Sequence, residues 1–261
     1  MPPSELPRVV DAGWLAEHLH EVVVGDVRGP NAHMRGHIPG SRPLVLGSPP
    51  PAADEASVLE VAKEVALRLR RHGITGEEKL VLVDRGDGIG AMPAAQMAEL
   101  AGHPNVAILL GGIAAWPGEL ATGAVELEPV REASLQPNAR AFPTRQELAS
   151  RLDDSSLLVL DVRRIEEYTG KSGNACDPRQ GHIPGARRLQ VDELFGADGM
   201  PKPADEIRAL VGEAQEIVAY CHSGSRSAIA TLALRSAGYD ARNYAGSWHE
   251  WSRHPELPLE R

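Results

Sequence analysis

The sequence predicts an α/β protein in which one mainly parallel sheet, flanked by helices, is built twice. Three observations predict it. Short apolar runs ending in a polar residue alternate with stretches of helical spacing, the pattern of strand–helix–strand units on a parallel sheet. The same motifs then recur in the same order: Asp26-Val-Arg and Asp161-Val-Arg stand 135 positions apart, as do "GGIAAW" from Gly111 and "GSWHEW" from Gly246. Finally, "GHIPG" begins at Gly36 and again at Gly181, 145 positions apart, so the second copy carries ten extra residues ahead of it. Matches in one shared order read as a duplicated domain.

The elements follow from local pattern. "EVVVGDV" from Glu21 and "SLLVLDV" from Ser156 are continuous apolar runs, as expected of strands buried on both faces of a parallel sheet. "KLVLVD" from Lys79 and "EIVAYC" from Glu216 form a second matched pair, and helical stretches follow them, "AMPAAQMAELAG" and "SAIATLALRSAG". Both helical stretches stop at a glycine suited to a helix C-terminus. Residues 1–118 are expected to form the first domain and 141–261 the second. Residues 119–140, polar and aperiodic, read as a linker between them. "GSPPPAAD" from Gly47 reads as a surface loop.

Composition narrows the function classes. The 261 residues are 42% hydrophobic and 24% charged, an ordinary globular balance, and the net charge of −9 argues against nucleic acid or an anionic membrane as the main partner. No apolar run approaches the roughly 18 residues that span a bilayer. The N-terminus "MPPSELPRVV" has no basic segment leading into an apolar one. Two cysteines, Cys176 and Cys221, are too few for a disulfide scaffold, so a reducing, cytoplasmic setting is expected. A monomer is expected as well.

Cys221 ends a predicted strand and precedes a predicted helix, the place where open α/β sheets bind ligands. Free N–H groups at the start of that helix would converge on the sulfur and favour thiolate over thiol. Gly224 and the small Ser223, Ser225 and Ser227 let the backbone wrap into an anion nest, His222 contributes its amide, and Arg226 adds a permanent positive charge. A strand-end cysteine is often only a small buried hydrophobe. Here the glycine, the serines, the arginine and the following helix together favour a reactive thiolate. In the first copy the matching loop "DRGDGI" has Asp84 in the cysteine's place, so that half is expected to be non-catalytic.

With these residues in view, the chain resembles a tandem-domain rhodanese, a sulfurtransferase family. The Asp-Val-Arg strand end, Gly-His-Ile-Pro-Gly, the cysteine loop and "GSWHEW" carry the resemblance over about residues 8–258. It implies two rhodanese-like domains with a catalytic second domain. It also implies transfer of sulfane sulfur through a Cys221 persulfide, from a small anionic donor to cyanide or a thiol, without metal or organic cofactor. Phosphatases of similar fold place five residues between cysteine and arginine; "CHSGSR" has four, a tighter loop that suits a persulfide. Thiosulfate is the expected donor and 3-mercaptopyruvate the alternative, because Ser223-Gly224 matches the second type while Arg226 does not. A non-enzymatic persulfide carrier is a further reading. Arg179, just ahead of Gly181-His182, resembles an arginine that binds donor anion.

Other residues have blander readings. Arg163 and Arg164 are expected to serve structure, Arg163 pairing with Asp161 or Glu167. His37 and His182 should bond backbone near their turns, and Trp248 should pack. Cys176, in the inserted segment "GNACDP", reads as an exposed passenger rather than a redox partner. "GDGIG" from Gly86 lacks the rest of a dinucleotide fingerprint, and His18 and His20 face different ways on a helix.

Overall fold

The computed structural model describes residues 6–47, 49, 54–88 and 90–261. Most of the "GSPPPAAD" segment lies outside the described residues. Two compact units emerge, Met1–Pro49 with Leu59–Ala139 and Pro50–Val58 with Arg140–Arg261.

The first unit contains strands β1 (Val9–Val10), β2 (Val22–Asp26), β3 (Arg42–Pro43), β4 (Lys79–Val83) and β5 (Val106–Leu109). They form one sheet in the order β1-β5-β4-β2-β3, all parallel. Its helices are α1 (Ala12–His18), α2 (Pro30–Arg35), all but the first four residues of α3 (Glu55–Arg71), α4 (Ala91–Leu100) and α5 (Gly112–Ala115). Strands β6 (Leu157–Asp161), β7 (Arg187–Arg188), β8 (Glu216–Tyr220) and β9 (Ala241–Asn243) make the second sheet, in the order β7-β6-β8-β9 and again parallel. Helices α6 (Arg145–Ser150), α7 (Ile165–Tyr168), α8 (Ala204–Val211), α9 (Ser225–Ser236) and α10 (Ser247–Trp251) accompany it.

The duplication extends to the hydrogen bonds, which explains why two motifs recur together. Arg28 grips Asp26 and donates to the carbonyl of Gly36 at 2.6 Å; Arg163 grips Asp161 and donates to the carbonyl of Gly181 at 2.7 Å. Asp-Val-Arg and Gly-His-Ile-Pro-Gly are thus two ends of one clamp. Arg163 is fully buried and lies over the rings of Tyr220 and Trp248, and Tyr220 donates its hydroxyl proton to Asp161 at 2.6 Å. A buried charge of this kind is tolerated because it is paired and hydrogen-bonded. The histidines behave alike too. His37 Nδ1 bonds the carbonyl of His33 at 2.8 Å, and His182 Nδ1 bonds that of Tyr168 at 2.9 Å.

The segment read as a linker is no free tether. Ala121 forms a two-way bridge with His37, and the N–H groups of Gly123, Val130, Ser134 and Asn138 reach carbonyls of Met34, Arg70, Thr75 and Leu100. All of these partners belong to the first unit. The C-terminus repeats the bridge, with Glu260 paired to His182 as Ala121 is to His37.

Period-two alternation along β8 decides where the cysteine points. Ile217, Ala219 and Cys221 face one core with Ala230 and Leu234 of α9, while Val218 and Tyr220 face the other with Trp248 and Trp251. Cys221 therefore ends its strand on the side covered by α9.

Candidate active site

The chain turns sharply between β8 and α9, and Gly224 makes the turn possible. Its φ is +89°, and a Cβ there would meet the carbonyl oxygen of Ala245 at 2.6 Å, so a side chain is excluded twice over. The turn brings the Gly224 N–H to 3.2 Å from Cys221 Sγ. The Ser227 hydroxyl approaches the sulfur at 3.4 Å and that of Ser247 at 4.0 Å. Asn243 steadies the loop by donating to the carbonyl of Gly224 at 3.1 Å. Helix α9, twelve residues long, opens at Ser225 and aims its positive end at the same place.

Ser247 was not foreseen. Its hydroxyl oxygen accepts the Cys221 N–H at 3.1 Å, and its own φ is +52°. The matching residue of the first copy is Gly112, with φ +54°. A serine held in this left-handed region costs about 1 kcal/mol or more, and the second copy bears that strain with a hydroxyl placed beside Cys221. The visible signal was the departure itself, "GS" where the first copy has "GG".

Both arginines are engaged by groups of the protein. Arg226 forms a two-pronged pair with Glu167, at 2.8 Å on each arm, instead of lying free for an anion. Burial works against the Glu167 carboxylate, yet the Arg226 guanidinium prevails and holds its pKa below the usual value. Arg179 donates to the carbonyls of Trp251, Ser252, His254 and Leu257, with Nε–Ser252 at 2.9 Å and Nη1–Leu257 at 2.7 Å. Four donor contacts on backbone oxygens make it a clasp for the turn after α10 rather than a substrate arm. The reason is the unpaired carbonyls that every helix end leaves.

His222 also differs from expectation, since its side chain is engaged. Nε2 lies 3.0 Å from Asp177 Oδ2, and the His222 carbonyl accepts the His249 N–H at 2.8 Å. Trp248 packs, buried, and donates its indole N–H to the Arg179 carbonyl at 3.0 Å. Cys176 is exposed, beside His222 and His249. Ser223 and Ser225 are both exposed. Among the described residues, no helix is long and apolar enough to cross a membrane.

Such an arrangement can hold a sulfur-centred anion beside an amide and two hydroxyls at a helix start. Comparisons with known proteins agree with that chemistry. The rhodanese-like domain matches twice, over residues 11–119 and 144–254. A thiosulfate sulfurtransferase of Pseudomonas aeruginosa is 29% identical, covering 98% of each chain. A 3-mercaptopyruvate sulfurtransferase of Escherichia coli K12 is 30% identical over 96% of this chain and 97% of its own. A crystal structure described as a "probable thiosulfate sulfurtransferase" superposes with a TM-score of 0.69 at 32% identity, covering 92% of this chain and 98% of the other. An anaerobic ergothioneine biosynthesis enzyme from Chlorobium limicola shares the fold, with a TM-score of 0.76 at 23% identity, over 97% of this chain and 70% of its own.

Proposed function

We infer, for a chain that belongs to the rhodanese-like domain family, that it is a sulfurtransferase whose second half carries sulfur as a persulfide on Cys221. The observation that carries this reading is the convergence of the Gly224 N–H and the Ser227 hydroxyl on one sulfur, with the Ser247 hydroxyl at its edge.

The reaction runs in two displacements. Cys221 thiolate attacks the outer sulfur of thiosulfate; a new S–S bond forms at Cys221, the thiosulfate S–S bond breaks, and sulfite leaves with the electron pair. The terminal sulfur then bears the negative charge, and the loop donors, fixed in advance, stabilise it. Cyanide or a thiolate attacks that sulfur in turn, taking it and returning Cys221 as thiolate. No proton need be stored between steps.

Thiosulfate is the donor this reading favours, since a small dianion suits the positive end of α9. The similarity to the Pseudomonas thiosulfate sulfurtransferase over 98% of both chains supports it. The alternative, 3-mercaptopyruvate, draws support from the Escherichia coli relative and from Ser223-Gly224. Steady-state assays with each donor and cyanide as acceptor separate the two, and turnover with neither would leave a persulfide carrier. Cys221→Ser is expected to lower turnover by about 10³-fold or more with the fold intact, and mass spectrometry should find the added sulfur on Cys221. Cys176→Ser should keep most activity. The reverse pair of results would overturn the assignment.

A further inference from the structure

The ten residues added to the second copy carry chemistry that sulfur transfer does not use. They bring Cys176 and Asp177 against two histidines from different parts of the second unit, His222 of the Cys221 loop and His249 of α10. Cys176 Sγ lies 3.6 Å from His249 Nδ1, 3.9 Å from His222 Nε2 and 3.7 Å from Asp177 Oδ1. Asp177 sits between the rings, Oδ1 at 3.0 Å from His249 Nδ1 and Oδ2 at 3.0 Å from His222 Nε2. One ligand atom from each of the four residues can be chosen so that all lie within 4.8 Å of one another.

These separations have a meaning. Zinc bonded to sulfur at about 2.3 Å and to nitrogen or oxygen at about 2.0–2.1 Å places neighbouring ligand atoms roughly 3.3–3.6 Å apart in a tetrahedron. The observed edges fall on either side of that range. The carboxylate supplies an independent sign. The Asp177 side chain is 1% exposed, and its Oδ2, although close to His222, receives no hydrogen bond of acceptable direction. A buried carboxylate oxygen is normally satisfied; this one is not, and it lies within the cluster, 3.0 Å from His222 Nε2.

The geometry points to a zinc site formed by Cys176, Asp177, His222 and His249. One thiolate, two imidazoles and one carboxylate gathered within 4.8 Å suit Zn²⁺, whereas Ca²⁺ and Mg²⁺ call for more oxygen ligands. Binding takes the proton from the Cys176 thiol and releases it to solvent, and uses the imidazoles neutral. The two anionic ligands then balance the two charges of the metal. Arg253 holds the site from outside, with Nη1 at 3.3 Å from Asp177 Oδ1 and Nη2 donating to the Cys176 carbonyl at 2.7 Å. Because His222 is the next residue after Cys221, the metal ties the rim of the sulfur-binding loop to the inserted segment and to α10. Its role is to brace that rim, and transfer itself needs no electrons from it.

The test is a titration of chelator-treated full-length protein with Zn²⁺ alone, followed by calorimetry and by competition with a chromophoric chelator. Wild type and Cys221→Ser are expected to bind one zinc with equal affinity. Cys176→Ser and His249→Ala should each bind at least about tenfold more weakly, with circular dichroism verifying that both remain folded. Cobalt(II) should give a thiolate-to-metal charge-transfer band in wild type and Cys221→Ser, and none in Cys176→Ser. Unchanged affinity in Cys176→Ser and His249→Ala, loss confined to Cys221→Ser, or no binding by wild type at micromolar zinc would each overturn the site. Since Cys221→Ser lacks the proposed nucleophile, failure of the sulfur-transfer reading and failure of the zinc site register separately.

Discussion

The loops that begin at Asp84 and at Cys221 are the same piece of backbone put to opposite uses. Each follows the long central strand of its sheet, and each starting carbonyl accepts an equivalent N–H, from Ile113 at 2.9 Å and from Trp248 at 3.0 Å. In the first unit the nest already contains an anion. The Asp84 carboxylate receives the N–H groups of Gly86 at 2.8 Å, Gly90 at 3.2 Å and Ala91 at 3.1 Å. In the second unit α9 opens at Ser225, whereas α4 opens at Ala91, the counterpart of Ala228 and so three positions later. Earlier winding brings the helix start and the Gly224 amide to the sulfur. The difference teaches that the fold supplies an anion site in either case. On the proposed reading, whether that anion is a tethered carboxylate or an exchangeable sulfur decides which half can turn over.

Single substitutions can break this comparison. Gly224→Ala would force a Cβ to 2.6 Å from a backbone oxygen and should cost roughly 10²-fold in turnover by displacing the loop amide. Gly86→Ala is as crowded, at 2.6 Å from the Gly111 carbonyl oxygen with φ +115°, and should destabilise the first unit by about 1–3 kcal/mol while leaving turnover alone. Loss of turnover in Gly86→Ala would show that the halves are not separable. Asp84→Asn removes the charge from its nest, and a loss of about 1–3 kcal/mol in the unfolding free energy of the first unit is expected, read as a lower urea midpoint. An unmoved midpoint would mean that this nest needs no anion.

Acid should separate the halves as well. Burial holds the pKa of His103 and of His33 below the ordinary 6.5, and both lie in the first unit. Unfolded chain takes up protons near 6.5 that the folded unit refuses, so this stability is present above that pH and is lost progressively as pH falls below it. In the second unit the lowered groups include Glu167 and Glu216, whose contribution is lost only as pH drops from about 4.5, their ordinary value. Hydrogen exchange followed from pH 7 to pH 5 should show protection falling first in the first unit; simultaneous loss would contradict this order. The smallest effect is assigned to Glu167→Gln, which frees Arg226 and should lower the donor KM roughly 2–3-fold, less at high salt, because the pair is partly exposed. Arg226→Ala should raise KM, and an unchanged value would remove that side chain from donor binding.

Much of the architecture was legible because continuous apolar runs leave few alternatives. "EVVVGDV", "KLVLVD", "SLLVLDV" and "EIVAYC" became β2, β4, β6 and β8 within a residue or two at each end. The two-residue strands β1, β3 and β7 carry too little pattern to read. The turn at Cys221 was legible since glycine, serine and a following helix constrain one another locally. What escaped was every partner chosen across the fold. Arg179 finds carbonyls more than 70 positions later in the chain, and Arg226 finds Glu167 59 positions earlier. A guanidinium's position in sequence announces its charge but not the group that claims it. Cys176 escaped for the same reason, as its neighbours His222 and His249 come from separate elements.

Asp84 has a consequence for how the protein ages under oxidants. On the proposed reading, the sulfur that attacks the donor is also open to peroxide, which drives it through sulfenic to irreversible sulfinic and sulfonic acids. The first unit has no cysteine at all, and a carboxylate has no such ladder to climb. On that reading oxidative silencing enters through one half alone, the half that holds both cysteines.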